Sequence, residues 1–194
     1  MIGGRLYAFL RVLVRGFFAL FYPIRAKGTE NMPGQGPVLL CANHESLADP
    51  VAIICALNRP VRFMAKKEVM DVPVLGRLLR ALGAFSVDRG SGDLAAVRSA
   101  MSILKEGHAL GIFPQGSRSW KSGGDFQNGA ALIALRSGAP VVPVYIHDRA
   151  RLFHPLKLTF GTPVDLSGVG ARMNSQALEQ ATARIQGAVY GLKE

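Results

Sequence analysis

Acidic residues are scarce in this sequence: 13 against 23 lysines and arginines over 194 residues, a net charge of +10. The imbalance points to an anionic partner: a nucleic acid, a membrane surface or a phosphorylated substrate. Cysteine is scarcer still, with only Cys41 and Cys55. Two cysteines exclude a disulfide framework, and no C-x-x-C zinc pattern exists; buried, reduced thiols in a cytosolic protein are the default. There is one tryptophan, and the basic residues form no dense run. With no nucleic-acid motif beside them, they argue against RNA or DNA as partner. Charged residues make up only 19% of the chain and hydrophobic ones 49%, which excludes a disordered polymer and supplies ample core. The length suits one domain, at about 100–200 residues each.

A long uncharged apolar run is missing too. A spanning helix needs about 20 apolar residues, whereas the longest uncharged stretch of the N-terminal segment, Gly16 to Ile24, has nine and contains Pro23. What that segment does contain is five basic residues (Arg5, Arg11, Arg15, Arg25 and Lys27) and no acid before position 28, among many large apolar side chains. On a helical wheel Gly4, Ala8, Arg11, Arg15 and Ala19 share one narrow sector and the apolar residues fill most of the rest. Such a pattern suits a helix lying in the membrane interface with its arginines at the phosphates. A helix packed on the domain's own core is the other reading. A cleaved signal peptide is disfavoured because no small-x-small site follows Phe21-Tyr22-Pro23. The expected organisation is therefore a membrane-interfacial helix over residues 1–24 and a domain over residues 25–194.

Strand and helix patterns alternate along that domain. Apolar runs at 37–42, 61–65, 84–87, 108–113 and 141–146 read as strands, and Leu156 to Phe160 alternates like an edge strand. Asp49-Pro50 predicts the start of a helix, with Asp49 as N-cap. Helices are expected over 74–82, 93–105, 128–137 and 174–191; in the second of these Leu94, Val97, Met101 and Leu104 make one apolar stripe. The fold class expected is α/β: a mostly parallel central sheet flanked by helices, with the N-terminal interfacial helix added.

Three polar segments follow predicted strands, where α/β sheets build their sites. They are Asn43-His44-Glu45-Ser46-Leu47-Ala48-Asp49, Gly83-Ala84-Phe85-Ser86-Val87-Asp88-Arg89 and Phe113-Pro114-Gln115-Gly116-Ser117-Arg118-Ser119. On a helix His44 and Asp49 fall on nearly opposite faces. In a turn leading into the helix they meet, and the imidazole could then take a hydroxyl proton while the carboxylate holds its other nitrogen. Arginine suits phosphate because its planar fork bonds two oxygens at once, and Gly116 lets backbone approach a ligand closely.

The ordered set N-H-x4-D, G-x-F-x-x-D-R and F-P-x-G-S-R-S, followed by Val142-Pro143-Val144, resembles the glycerolipid acyltransferases, and among them the 1-acylglycerol-3-phosphate acyltransferases. Phe63-Met64-Ala65-Lys66-Lys67-Glu68 also matches a basic segment of that family, and the resemblance covers about residues 25–165. It implies that His44 is the general base for the acceptor hydroxyl and that Asp49 orients and charge-stabilises it. The hydroxyl then attacks an acyl thioester with no acyl-enzyme. The same resemblance assigns Arg89, Gln115, Gly116 and Arg118 to the glycerol phosphate and Pro143 to a donor or acyl site. It implies no metal and no cofactor beyond the donor, acyl-coenzyme A or acyl carrier protein. Its partners are lysophospholipid, acyl thioester and an anionic membrane surface, with acyl carrier protein as a candidate and no nucleic acid. The cytoplasmic face of the cell membrane is the expected location, peripheral or monotopic.

One position departs from the family pattern. Gln115 stands where a glutamate is usual, which removes a negative charge yet keeps hydrogen-bonding capacity. Two alternatives therefore stay open: the same chemistry on glycerol 3-phosphate, another lysophospholipid or an amino-lipid, and a non-catalytic basic membrane-binding protein with this fold. His108, His147 and His154 lie in no motif and read as structural.

Overall fold

The computed structural model describes residues 4–87, 93–115, 125–169 and 174–193. Along the chain run α1 (Gly4–Phe21), β1 (Ile24–Lys27), β2 (Val38–Ala42), α2 (Asp49–Ala56), β3 (Val61–Lys66), α3 (Lys67–Met70) and α4 (Pro73–Ala81). These are followed by β4 (Phe85–Val87), α5 (Asp93–Lys105), β5 (Ala109–Ile112), α6 (Gly129–Ser137), β6 (Val141–Ile146), β7 (Leu156–Phe160) and α7 (Ser175–Tyr190). Among the described residues seven strands form one sheet in the order β1-β7-β6-β2-β5-β3-β4. Every neighbouring pair is parallel except β6 and β7.

The centre of the sheet is buried on both faces, which is why β2 and β6 read as unbroken apolar runs. β2 shows this directly, because successive side chains of a strand point to opposite faces. Val38, Leu40 and Ala42 join a core with α1, α2 and Leu82, while Leu39 and Cys41 join a second core with α5, α6 and α7. The result is a helix–sheet–helix sandwich. α5 is closed by Gly107 and α6 by Gly138, both left-handed, where a glycine carries no Cβ penalty.

α1 contributes to the first of these cores: Tyr7 and Phe18 are buried in it. The helix turns outward part of the arginine sector, where Ala8, Arg15 and Ala19 are exposed, together with an apolar stripe. Arg11 turns inward, donating to the Leu57 carbonyl at 3.2 Å, and Phe9, Val12, Leu13, Phe17 and Leu20 are exposed. Among the described residues no helix is long and apolar enough to cross a membrane.

One strand expectation and one helix-cap expectation change. Leu156–Phe160 is not an edge strand: β7 lies between β1 and β6. The edge is β1, four residues whose alternating Arg25 and Lys27 point outward. Asp49 is not the N-cap either. Ala48 occupies that position without a side-chain bond, and Asp49 sits in the first turn of α2 with its carboxylate directed back up the chain.

Candidate active site

β2, β5, β3 and β4 are successive parallel neighbours, so their carboxyl ends share one edge of the sheet, the usual location of sites in such folds. The segment after β2 is fixed first by Asn43. Its side-chain amide donates to the Ile146 carbonyl at 2.9 Å, and its oxygen accepts the Ile146 N–H at 2.7 Å. A side chain thus continues the β2–β6 ladder beyond Ala42↔Val144. That anchor fixes the backbone from which the next residue, His44, departs.

Residues 44–49 then form a tight turn around one carboxylate oxygen. Asp49 Oδ2 accepts the backbone N–H groups of Glu45 and Ser46, each at 2.7 Å, and lies 2.9 Å from His44 Nδ1. Asp49 is fully buried and the His44 side chain is 17% exposed. A buried carboxylate collecting three donors on one oxygen is held rigidly. Because an ionised carboxylate only accepts, the proton of the neutral imidazole belongs on Nδ1, which leaves the Nε2 lone pair available to substrate. The second oxygen, Oδ1, is buried and has no hydrogen-bond partner among the described residues.

The imidazole is also held from the side. The Phe113 ring stacks on it with centroids 4.1 Å apart and planes 19° apart, and Phe63 backs Phe113 at 5.7 Å. Phe63 in turn lies over Gly111; a Cβ there would come within 2.2 Å of the Phe63 ring. The glycine therefore allows the strand to sit under the aromatic stack.

Gln115 is buried beneath the turn. Its side-chain oxygen accepts the His44 backbone N–H and its amide nitrogen donates to the Tyr190 hydroxyl, both at 2.9 Å. Burial, with Tyr145 and Glu45 nearby, holds the Tyr190 hydroxyl above its ordinary range, so it stays protonated at neutral pH. Tyr190, Asn43 and Phe113 are site residues to which the sequence assigned no role. The N-H-x4-D and F-P-x-G motifs at least contain Asn43 and Phe113; nothing around Tyr190 signals a site.

Of the expected site residues, the structure brings His44, Asp49 and Gln115 together. Arg89, Gly116 and Arg118 lie outside the described residues, as does Asp88. Pro143 is buried within β6, opposite Cys41 of β2. Its ring packs on Gly161, where an added Cβ would lie 2.9 Å from Pro143 Cγ. The basic segment crosses from β3 into α3, with Lys67 exposed. Burial pushes the thiols of Cys41 and Cys55 up to about 12 and about 11, so neither is a ready nucleophile. His147 contacts Thr159 and His154 the Leu152 carbonyl, at 2.9 and 3.0 Å, and His108 lies 3.5 Å from Glu106. Among the described residues no group of three or more His, Cys, Asp or Glu side chains could hold a metal ion.

Residues 23–147 match the family model described as Acyltransferase. A 1-acyl-sn-glycerol-3-phosphate acyltransferase of Streptococcus pneumoniae is 31% identical over 192 residues, covering 93% of this chain and 70% of that protein. One from Borreliella burgdorferi is 31% identical over 131 residues, covering 65% of this chain and 52% of the relative, so the match spans about half of that protein's length. The crystal structure of the 1-acyl-sn-glycerophosphate (LPA) acyltransferase PlsC from Thermotoga maritima superimposes with a TM-score of 0.70 at 26% identity, over 96% of this chain and 80% of that one.

Proposed function

The chain belongs to the acyltransferase family, and from that premise we propose that it acylates the free hydroxyl of a 1-acylglycerol 3-phosphate, using an acyl thioester, to give phosphatidic acid. The observation that carries the proposal is the His44–Asp49 pair. Its 2.9 Å contact leaves Nε2 of a neutral, oriented imidazole to accept a proton. The acceptor hydroxyl gives its proton to His44 Nε2 as its oxygen attacks the thioester carbon. The C–S bond then breaks, and the proton held on His44 passes to the departing sulfur, so coenzyme A or the carrier protein leaves as a thiol. As His44 becomes cationic, the buried carboxylate of Asp49 balances it, and the charge never stands alone in a low-dielectric site.

Arg89, Gly116 and Arg118 are proposed to bind the acceptor phosphate, which the chain's basic balance also favours. For Gln115, expected at the same phosphate, its burial and its two bonds favour a role as a brace for His44. The substrates are lipids, and the exposed apolar face of α1 supports a peripheral position on a membrane, the cytoplasmic face being the one proposed.

The test is product analysis with purified protein. Lysophosphatidic acid, glycerol 3-phosphate, other lysophospholipids and an amino-lipid are offered in turn, with acyl-coenzyme A and with acyl carrier protein thioester. Phosphatidic acid as the main product supports the assignment, and the productive donor identifies the carrier. Preferential acylation of another acceptor would replace the substrate while keeping the chemistry. Vesicle binding without turnover of any donor would favour a non-catalytic membrane protein.

A further inference from the structure

Between β6 and β7 the chain makes a loop whose tip places Leu152 and Phe153 in solvent, 51% and 63% exposed. Phe153 adopts a left-handed backbone, φ 60°, and is the non-glycine residue that does so among the described residues. A bulky side chain in that conformation is strained and persists only where the surroundings hold it. What holds it here is the end of α1. The Phe153 N–H donates to the Phe21 carbonyl at 2.7 Å, and the two rings lie 5.8 Å apart. Phe21 in turn packs against Phe17, with ring centroids 4.8 Å apart and planes tilted by 42°. The loop tip is thereby continuous with the exposed apolar stripe Phe9, Val12, Leu13, Phe17 and Leu20 of α1. Arg149 and Arg151 flank the tip and are exposed, and Arg15 of α1 and Arg25 of β1 are exposed as well.

We propose that the β6–β7 loop is a second membrane contact, inserting Leu152 and Phe153 into an anionic bilayer beside the exposed stripe of α1. The occupant follows from charge and surface together. An exposed apolar stripe that runs across two elements with arginines beside it is the pattern an anionic lipid interface takes, with acyl chains for the former and phosphates for the latter. One helix alone leaves the molecule free to roll about the helix axis. A second contact, tied to the helix end by a backbone hydrogen bond, fixes that roll and so fixes how the sheet edge carrying His44 meets the lipid. The proposal rests on the acyltransferase assignment only in that the acceptor resides in a membrane. Its test reads binding, not turnover, so each can fail without the other.

The full chain is mixed with vesicles of phosphatidylcholine and phosphatidylglycerol in equal parts, and binding is measured by sedimentation. Leu152→Ser with Phe153→Gly removes both apolar side chains while placing glycine where φ is positive, so the fold is retained or strengthened. The expected result is a partition coefficient lower by about tenfold or more, given the apolar area withdrawn from lipid. Undiminished binding would overturn the proposal. A second measurement does not depend on a loss: Leu152→Cys is labelled with an environment-sensitive fluorophore, the buried Cys41 and Cys55 thiols being slow to react. A blue shift with quenching by brominated lipid supports insertion; a label that stays in water on vesicle-bound protein contradicts it. A dimer in solution that dissociates on the double substitution would assign the face to a second copy of the chain instead.

Discussion

The side-chain amide of Gln115 donates to the hydroxyl of Tyr190 across 2.9 Å while its oxygen holds the backbone N–H of His44. The last turn of α7 is thus joined through one side chain to the proposed general base. Glutamate, the residue usual at this position in the family resembled, can make the same two links: one oxygen accepts from His44 and the other from a rotated Tyr190 O–H.

Gln115→Glu is accordingly expected to keep turnover within about tenfold, since both bonds have an equivalent. Gln115→Leu orphans the His44 N–H and should cost about 1–3 kcal/mol of stability, with kcat falling more than KM rises. Tyr190→Phe should cost about 1 kcal/mol. Urea titration and steady-state kinetics on the three variants check this. A large rise in KM for the phosphorylated acceptor in Gln115→Leu, with kcat unchanged, would return Gln115 to the phosphate site.

Gly111 offers a test of the aromatic stack. Its missing Cβ makes room for Phe63, which backs Phe113 and through it His44. Gly111→Ala should destabilise by about 1–3 kcal/mol through overpacking and lower kcat as the stack shifts. Unchanged kinetics would mean that the imidazole does not depend on Phe113 for its position.

Adjacent residues of α1 should behave in opposite ways. Phe18 is buried in the core and Phe17 is half exposed. Phe18→Ala should cost about 3–5 kcal/mol, and Phe17→Ala about 1 kcal/mol or less, while Phe17→Ala alone should weaken vesicle binding. Equal stability losses in denaturant would show that α1 is not oriented as described.

The cysteines give a pH dependence with a definite sign. Folding raises Cys41 to about 12 and Cys55 to about 11 from an ordinary 9.0. The unfolded chain therefore releases these protons first, and stability is intact below pH 9 and falls as pH climbs toward 11 and then 12. Denaturation midpoints should decline over that window, and more shallowly in a Cys41→Ala, Cys55→Ala double variant. An identical alkaline decline in both proteins would exclude the thiols as its cause.

Much of the sheet is legible because its central strands are buried on both faces, so β2, β5 and β6 are apolar runs bounded by glycine and proline. β1 is not, because a four-residue strand half made of Arg25 and Lys27 carries too little apolar signal. The alternation in Leu156–Phe160 suggests an edge, but it reports which face meets solvent and is silent about neighbours in the plane. The helical wheel of α1 separates an arginine sector from an apolar circumference without showing which apolar residues pack on the core, as Tyr7 and Phe18 do, and which stay exposed. An arginine with a buried carbonyl in reach, as Arg11 has at Leu57, can turn inward and leave the apolar side chains outside. Within the site, the motif placed His44 and Asp49 near one another, but only the turn tied by Glu45 and Ser46 closes the pair. Tyr190 belongs to a helix far along the chain, and no local pattern points from it to His44.

In the proposed mechanism His44, oriented by Asp49, takes the acceptor's proton, and the direct measurement is the rate of phosphatidic acid formation by His44→Ala and Asp49→Asn beside the unaltered protein at saturating lysophosphatidic acid and donor. Both variants should fold and bind vesicles as before, and His44→Ala should lose about 10²–10⁴-fold or more in kcat. Turnover within a few fold of the unaltered protein would contradict the mechanism.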